Sequence, residues 1–221
     1  MTPLDSFPLF AKLPEADRAR VHAAMRRRRF TAGTVVCHEG DPGDSCHVVV
    51  EGRFAVSVAT QLGDRVVLAI ESPGNVFGEL ALVRDDGRRT ATITALEPSV
   101  TLELHRREFD EISAQHPTVS RFLIELLAAR VVRLSGSAMS GLFDPVESRV
   151  FAQLNLLADL YLSDAEGGAM PVRQEIVAAM AGTTRPTVNR VLKQAEVDGL
   201  VALRRGQIDV LDRDALRRRA R

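Results

Sequence analysis

The sequence predicts an α+β protein: an antiparallel sandwich or barrel of short strands, then a long helix, then two short helices with a sharp turn and a hairpin behind them. Three observations carry this reading. Between Phe30 and Leu104, turn signals recur roughly every ten residues and separate runs of alternating hydrophobicity. From Pro117 to about Ser140, apolar residues keep a heptad spacing. From Val172 to Val210, a glycine stop and hydroxyl cap divide two apolar-faced helices ahead of two short β runs.

Composition narrows the class. The 221 residues are 45% hydrophobic and 26% charged, with 29 basic residues against 29 acidic ones. Such a balance excludes a polycation that coats nucleic acid or membrane indiscriminately. No stretch approaches the roughly 18 uncharged apolar residues of a membrane span; the best run, Phe122 to Val132, is broken by Glu125 and Arg130. Met1 to Phe10 lacks a basic region ahead of an apolar core, so the expectation is a cytoplasmic protein without membrane contact. Cys37 and Cys46 are too few for a disulfide framework or a four-thiolate cluster and read as inert thiols in or beside strands. His38, His47 and His105 show no metal-like spacing, so no metal is expected. His105, Glu108 and Asp110 lie close together at a helix start with no nucleophile–base pairing, which argues against an enzyme.

Along the chain, Pro14 to Arg29 reads as a helix whose basic end, Arg26 to Arg29, complements the dipole. In the strand region, Phe54, Val56 and Val58 face one way, Val66, Leu68 and Ile70 alternate with Val67 and Ala69, and Val100, Leu102 and Leu104 alternate with Thr101 and Glu103. The long helix carries Ile124, Leu127, Val131, Leu134 and Ala138 at 3-4-3-4 spacing, the seam of a two-stranded coiled coil and hence a homodimer interface. Phe122, Leu123 and Leu126 form another apolar face, suited to packing on the chain's own sandwich. Gly141 to Pro145 reads as a hinge, Pro145 to Leu162 as a helix, and Ser163 to Ala169 as a polar loop.

The helix pair points to DNA. Ile176, Val177 and Met180 give the first helix its apolar face, Gly182 stops it, and Thr183-Thr184 caps the second, with Pro186 in its first turn. That order is a helix-turn-helix, and Thr187, Val188, Val191 and Leu192 continue its second helix. Arg185, Asn189 and Arg190 fall on the side that would read bases, since arginine pairs with guanine and asparagine with adenine. Arg173, Gln174 and Lys193 suit phosphates, while Thr184, Pro186 and Thr187 complete the DNA-facing end. Arg204 and Arg205 form a basic hairpin tip, the wing of a winged helix-turn-helix. The Arg217-Arg218-Arg219 run reads as a solvated tail.

A second cluster points to an anionic ligand. Phe77-Gly78-Glu79-Leu80-Ala81-Leu82 follows a Pro73-Gly74-Asn75 turn, and Arg89 comes ten residues after Glu79 in Arg88-Arg89-Thr90-Ala91. Glycine lets backbone approach an anion, arginine offers a planar fork to a phosphodiester, and a carboxylate accepts from a sugar hydroxyl. With Gly40-Asp41-Pro42-Gly43-Asp44, Glu51-Gly52 and Gln174-Glu175…Gly182-Thr183-Thr184-Arg185 to Leu192, this cassette makes nearly the whole chain resemble the cyclic-AMP receptor protein (CRP/FNR) family of bacterial transcription regulators. The resemblance implies three parts. Residues 1–116 would form a jelly-roll-like, cyclic-nucleotide-binding β-roll, 117–144 a dimerisation helix and hinge, and 145–221 a winged helix-turn-helix. It implies a homodimer that reads a double-stranded DNA operator, is controlled by cAMP or cGMP, and works with RNA polymerase. By the same resemblance Glu79 takes the ribose 2′-hydroxyl and Arg89 the cyclic phosphate, Gly78, Leu80, Thr90 and Ala91 complete the cassette, and Leu134 and Ser135 occupy the positions that reach the base. Two departures stand out. Leu134 cannot hydrogen-bond a base, which keeps open a regulator with a degenerate pocket or another effector. Arg185 is followed by Pro186 where the family's receptor has glutamate, so its operator does not carry over.

Overall fold

The computed structural model describes residues 3–7, 10–61, 63–162 and 165–220. The chain divides into two compact units, residues 1–64 with 68–132, and residues 133–221 with the short segment 65–67. Two 3-10 turns (Pro3–Ser6, Phe10–Lys12) lead into α1 (Glu15–Ala24). The strands β1 (Arg26–Phe30), β2 (Val35–Cys37), β3 (Ser45–Glu51), β4 (Phe54–Ala59), β5 (Arg65–Glu71) and β6 (Val76–Phe77) follow. A one-turn helix α2 (Leu80–Val83) precedes β7 (Thr92–Ala95) and β8 (Ser99–His105), after which come α3 (Arg106–Gln115) and the long α4 (Pro117–Phe143). The rest comprises α5 (Val146–Leu162), β9 (Gly168–Met170), α6 (Gln174–Ala181), α7 (Arg185–Val197), β10 (Val201–Arg204), β11 (Gln207–Val210) and α8 (Arg213–Arg219).

Two four-stranded sheets, β1–β8–β3–β6 and β2–β7–β4–β5, build the roll. Strand alternation sorts its core into two compartments. One set of β3 and β8 side chains, Cys46, Val48, Leu102 and Leu104, joins Phe10, Val21, Phe109, Val119, Leu123 and Leu126 of the covering helices and turns. The next residue along β3, Val49, joins Phe54, Val56, Phe77, Ile93 and Ala95 in a second cluster. Helices on one face and a second sheet on the other leave β3 buried along most of its length.

Several expectations change. Arg26 to Arg29 is not a helix end: it is strand β1, paired with β8 from Arg26↔Glu103 to Phe30↔Ser99. Antiparallel pairing overrides the local helical pattern, and Arg27 and Arg28 lie 3.0 and 3.6 Å from Glu51 and Glu103. Along β8 both alternating sets are buried, Thr101 and Glu103 as well as Val100, Leu102 and Leu104. Helix α4 runs through Gly141 and ends only ahead of Asp144-Pro145, where a proline ring cannot continue the hydrogen-bond ladder. Gly168 and Ala169 leave the expected loop and, with Met170, pair with β11 in a three-stranded sheet, β10–β11–β9; Ser163 and Asp164 of that loop lie outside the described residues. The basic tail belongs to α8, capped by Asp212 and anchored by the fully buried Leu216. Of the heptad seam, Ile124, Val131, Leu134 and Ala138 are exposed, whereas Leu127 is half-buried against the roll core.

Candidate ligand pocket and nucleic-acid interface

Turns place Arg89. Gly43 N–H donates to Gly87 O (2.7 Å), Arg89 N–H to Asp41 O (2.9 Å) and Gly40 N–H to Arg89 O (2.8 Å). This pairing lays the Arg89 side chain across the start of β3. Its Nη1 donates to Ser45 O at 2.5 Å and to Gly78 O at 3.5 Å, and its Nη2 donates to Ser45 Oγ at 3.0 Å. Two glycines make room for it. A Cβ at Gly43 would stand 2.3 Å from Arg89 Nε, and one at Gly78, whose φ is +77°, would stand 2.6 Å from Nη1. Arg89 Nε is buried without a hydrogen-bond partner.

Glu79 sits where a helix cap would sit, ahead of α2, yet makes no side-chain cap bond. Its buried carboxylate turns to α4 instead, where Arg130 Nη1 donates to Oε1. Arg130 Nη2 donates to Glu71 Oε1 at 2.7 Å and to Val76 O at 2.9 Å. The second carboxylate oxygen, Glu79 Oε2, is buried and has no hydrogen-bond partner. The short α2 is fixed from its far end by Arg106, whose Nε donates to Ala81 O (2.9 Å) and whose Nη2 donates to Arg84 O (2.7 Å).

Gly78, Glu79, Leu80, Arg89, Thr90 and Ala91 line one pocket, together with Cys37, Val56, Phe77, Ile93 and Arg130. All the cassette residues singled out in the sequence therefore converge. Leu134 and Ser135 are exposed positions on α4 and belong to the second compact unit. Cys37 is half-buried in the pocket wall rather than fully buried, and burial raises its pKa more strongly than the Arg89 charge lowers it. Cys46 is buried, and desolvation pushes its thiol up to about 12.

Behind the pocket lies a polar column. Ser45 Oγ, which holds Arg89, also donates to Glu103 Oε1 at 3.3 Å. Glu103 Oε1 lies 3.6 Å from His47 Nε2, and His47 Nδ1 shares a hydrogen bond with Thr101 Oγ1 at 3.0 Å. Burial, then the charges of Arg89, Arg28 and His105, push His47 down to about 3, so the ring is neutral at physiological pH. It stacks on the pocket residue Phe77 at 4.9 Å.

The second unit builds the other interface. Gly182, at φ +58°, terminates α6, and Thr183 N–H bonds back to Ala178 O at 3.0 Å. Thr184 caps α7, its side chain accepting from Thr187 N–H. Val188, Val191, Leu192 and Ala195 bury one face of α7. Arg185, Pro186, Asn189, Arg190 and Lys193 are exposed, as are Arg173 and Thr184, while Gln174 and Thr187 are half-buried. Arg204 and Arg205 occupy the exposed β10–β11 tip. Carboxylates sit beside three of these cations: Glu175 at 3.1 Å from Arg185, Glu196 at 2.8 Å from Lys193 and Asp209 at 2.7 Å from Arg204. Arg149 ties this unit together, donating from Nε to Ala181 O (3.1 Å) and from Nη1 to Gly141 O (3.0 Å).

Comparison with known proteins follows the same division. The family model of the cyclic nucleotide-binding domain matches residues 27–116, and that of the Crp-like helix-turn-helix domain matches residues 148–219. The CRP-like cAMP-activated global transcriptional regulator of Mycobacterium tuberculosis (strain ATCC 25618 / H37Rv) is 31% identical over 196 residues, 87% of each chain. The cyclic AMP receptor protein of Thermus thermophilus is 30% identical over 204 residues, 92% of each chain. The chain belongs to the CRP/FNR family. A CRP-family transcriptional regulator from Thermus thermophilus superposes with a TM-score of 0.76 at 26% identity, covering 87% of this chain and 96% of the other. The c-di-GMP responsive global regulator CLP of Xanthomonas campestris shares the fold, with a TM-score of 0.78 at 22% identity over 90% and 99% of the two chains.

This CRP-like transcription regulator thus joins a cyclic nucleotide-binding domain to a DNA-binding helix-turn-helix. Among the described residues, no helix is long and apolar enough to cross a membrane, and no cluster of histidine, cysteine or carboxylate side chains could hold a metal ion. Three residues escaped the sequence reading: Arg130, which lines the regulator's pocket, and Ser45 and Glu71, which hold Arg89 and Arg130 in it. Ser45 carries no local signal. Arg130 does: it follows buried Leu123 and Leu126 at i+7 and i+4, so its charge lies on the helix face that packs on the roll. Glu71 ends the β5 run containing the buried Val67 and Ile70, where a solitary carboxylate needs a cation.

Proposed function

We propose that this regulator is a homodimer that binds a cyclic nucleotide, cAMP foremost, in the roll and binds its DNA operator in the loaded form. One observation carries the reading. Within a single pocket, Arg89 presents a guanidinium with an unpartnered Nε, and Glu79 presents a buried carboxylate with an unpartnered Oε2. The first fits the oxygens of a cyclic phosphate and the second a ribose hydroxyl, the two polar ends of one small ligand. The names of the mycobacterial and Thermus relatives, cAMP-activated regulator and cyclic AMP receptor protein, support the same choice.

The remaining roles follow from placement. Gly78, Leu80, Thr90 and Ala91 shape the pocket, and Ser135 offers a hydroxyl to the base. The exposed apolar residues Ile124, Val131 and Leu134 of α4, with Ala138, bury against a second copy. Arg185, Asn189 and Arg190 read bases; Arg173, Gln174, Lys193, Arg204 and Arg205 hold the backbone; Thr184, Pro186 and Thr187 shape the N-terminal end of the reading helix. RNA polymerase is the partner through which transcription responds, in the cytoplasm. The ligand controls DNA binding only through its preference for one arrangement of the dimer, and moving most of the population takes about 3–5.5 kcal/mol of differential affinity.

Leu134 favours a second reading, a regulator whose pocket answers to another effector, because its side chain cannot pair with a base. Calorimetric titration with cAMP and cGMP decides between the two. The first reading expects saturable binding that Arg89→Ala abolishes while the protein stays folded, and a nucleotide-dependent gel shift. Absence of binding to both nucleotides overturns it.

A further inference from the structure

We propose that Glu71 is a specificity-determining residue: by occupying one arm of Arg130, it keeps Glu79 Oε2 open to a ligand hydroxyl. This rests on the cyclic-nucleotide reading above and says how the pocket tells a ribonucleotide from its deoxy analogue.

A guanidinium facing a single carboxylate takes both oxygens in a parallel fork. Arg130 faces two carboxylates, with side chains only 2% (Glu71) and 1% (Glu79) exposed. Nη2 carries two N–H groups; one goes to Glu71 Oε1 at 2.7 Å and the other to Val76 O at 2.9 Å. Of the two terminal nitrogens, Nη1 is the one turned to Glu79, and it meets Oε1 alone. Oε2 is left buried and without a donor. A buried acceptor in that state is costly, and an O–H group arriving with the ligand removes the cost. A ligand lacking the hydroxyl leaves it in place. Without Glu71, Nη2 is released to swing onto Glu79, close the fork over both oxygens and blunt the distinction. Glu71 touches no ligand in this account; it acts through Arg130.

The test titrates the full-length protein with cAMP and with its 2′-deoxy analogue and compares the ratio of the two dissociation constants. In the wild type the ratio is expected at about tenfold to a hundredfold, the value of one hydrogen bond to a charged group. Glu71→Met fills the space without an acceptor, and the ratio falls at least about fivefold, chiefly through weaker cAMP binding. Glu71→Gln keeps an oxygen for Nη2 and restores the ratio. Should the methionine variant fail to fold, Glu71→Asp keeps the charge but withdraws it by one methylene, and the ratio must fall there too. A parallel loss of both affinities with an unchanged ratio makes Glu71 a mere brace and overturns the proposal alone. A wild-type ratio of one overturns it while leaving cyclic-nucleotide binding intact. Wild-type protein that binds neither nucleotide overturns both.

Discussion

Arg89 and Arg185 occupy opposite environments, and the contrast describes the two working regions of the molecule. Arg89 is enclosed: a serine carbonyl, a serine hydroxyl and two glycines fix where its guanidinium can lie. Arg185 has a side chain 67% exposed and a single carboxylate, Glu175, beside it at 3.1 Å. A pocket that grips a small anion must hold its charge in place before the ligand arrives, because desolvated hydrogen bonds reward fixed geometry. A surface that meets a long polyanion keeps its cations hydrated and adjustable, with carboxylates that the DNA can displace. Disturbing the first region should therefore be expensive and local, and disturbing the second graded and salt-dependent.

Arg89→Ala breaks the contrast most strongly. Cyclic-nucleotide affinity should fall at least about a hundredfold by calorimetry, since hydrogen bonds to a charged group are each worth about 1.5–3 kcal/mol. Gly43→Ala leaves Arg89 present but places a methyl 2.3 Å from its Nε. Affinity should drop by about tenfold to a hundredfold, the cost of displacing a gripping group by about an ångström, with the melting temperature little changed. An unchanged affinity would mean that the enclosure does not hold Arg89 for the ligand. On the DNA side, Arg185→Ala should cost about 1–3 kcal/mol on the preferred operator and much less on unrelated DNA, measured by competition gel shifts. Equal loss on every sequence would remove its base-reading role.

A pH experiment sharpens the comparison from within the roll. His47 is held down to about 3 in the fold against an ordinary value near 6.5. Between those values the unfolded chain binds a proton that the folded one refuses, so stability is intact above about pH 6.5 and is lost as the pH falls toward 3. From pH 7 to 5 this group should remove about 2 kcal/mol, and His47→Gln should lessen the fall in chemical-denaturation stability by that amount. The smallest effect is expected at Lys193, 61% exposed on the reading helix. Lys193→Ala should weaken DNA binding about equally on all sequences and lower the slope of log affinity against log salt by about one.

Much of this was legible in the sequence because its signals are local. Gly182 and Thr184 announce a helix stop and start through their own backbone and hydroxyl chemistry, and α6 and α7 form around them. The spacing from Glu79 to Arg89 marks a cassette whose residues do line one pocket. Local reading failed where a partner strand decided. Arg26 to Arg29 carries helix-compatible residues, and only pairing with β8 makes it a strand. Gly168 to Met170 is loop-like until β11 lies beside it. Thr101 and Glu103 alternate like a solvent face, yet two stacked sheets turn that face inward.

By itself, then, the sequence determined the order of the elements, the caps that separate them and the charged residues of the cassette and of the helix pair, for these depend on near neighbours along the chain. Tertiary structure alone decided which groups keep spare hydrogen-bonding capacity. Arg130 lies 51 residues from Glu79 and 59 from Glu71. Whether a carboxylate oxygen is satisfied or left open depends on donors brought from so far away, and only the folded backbone fixes their positions.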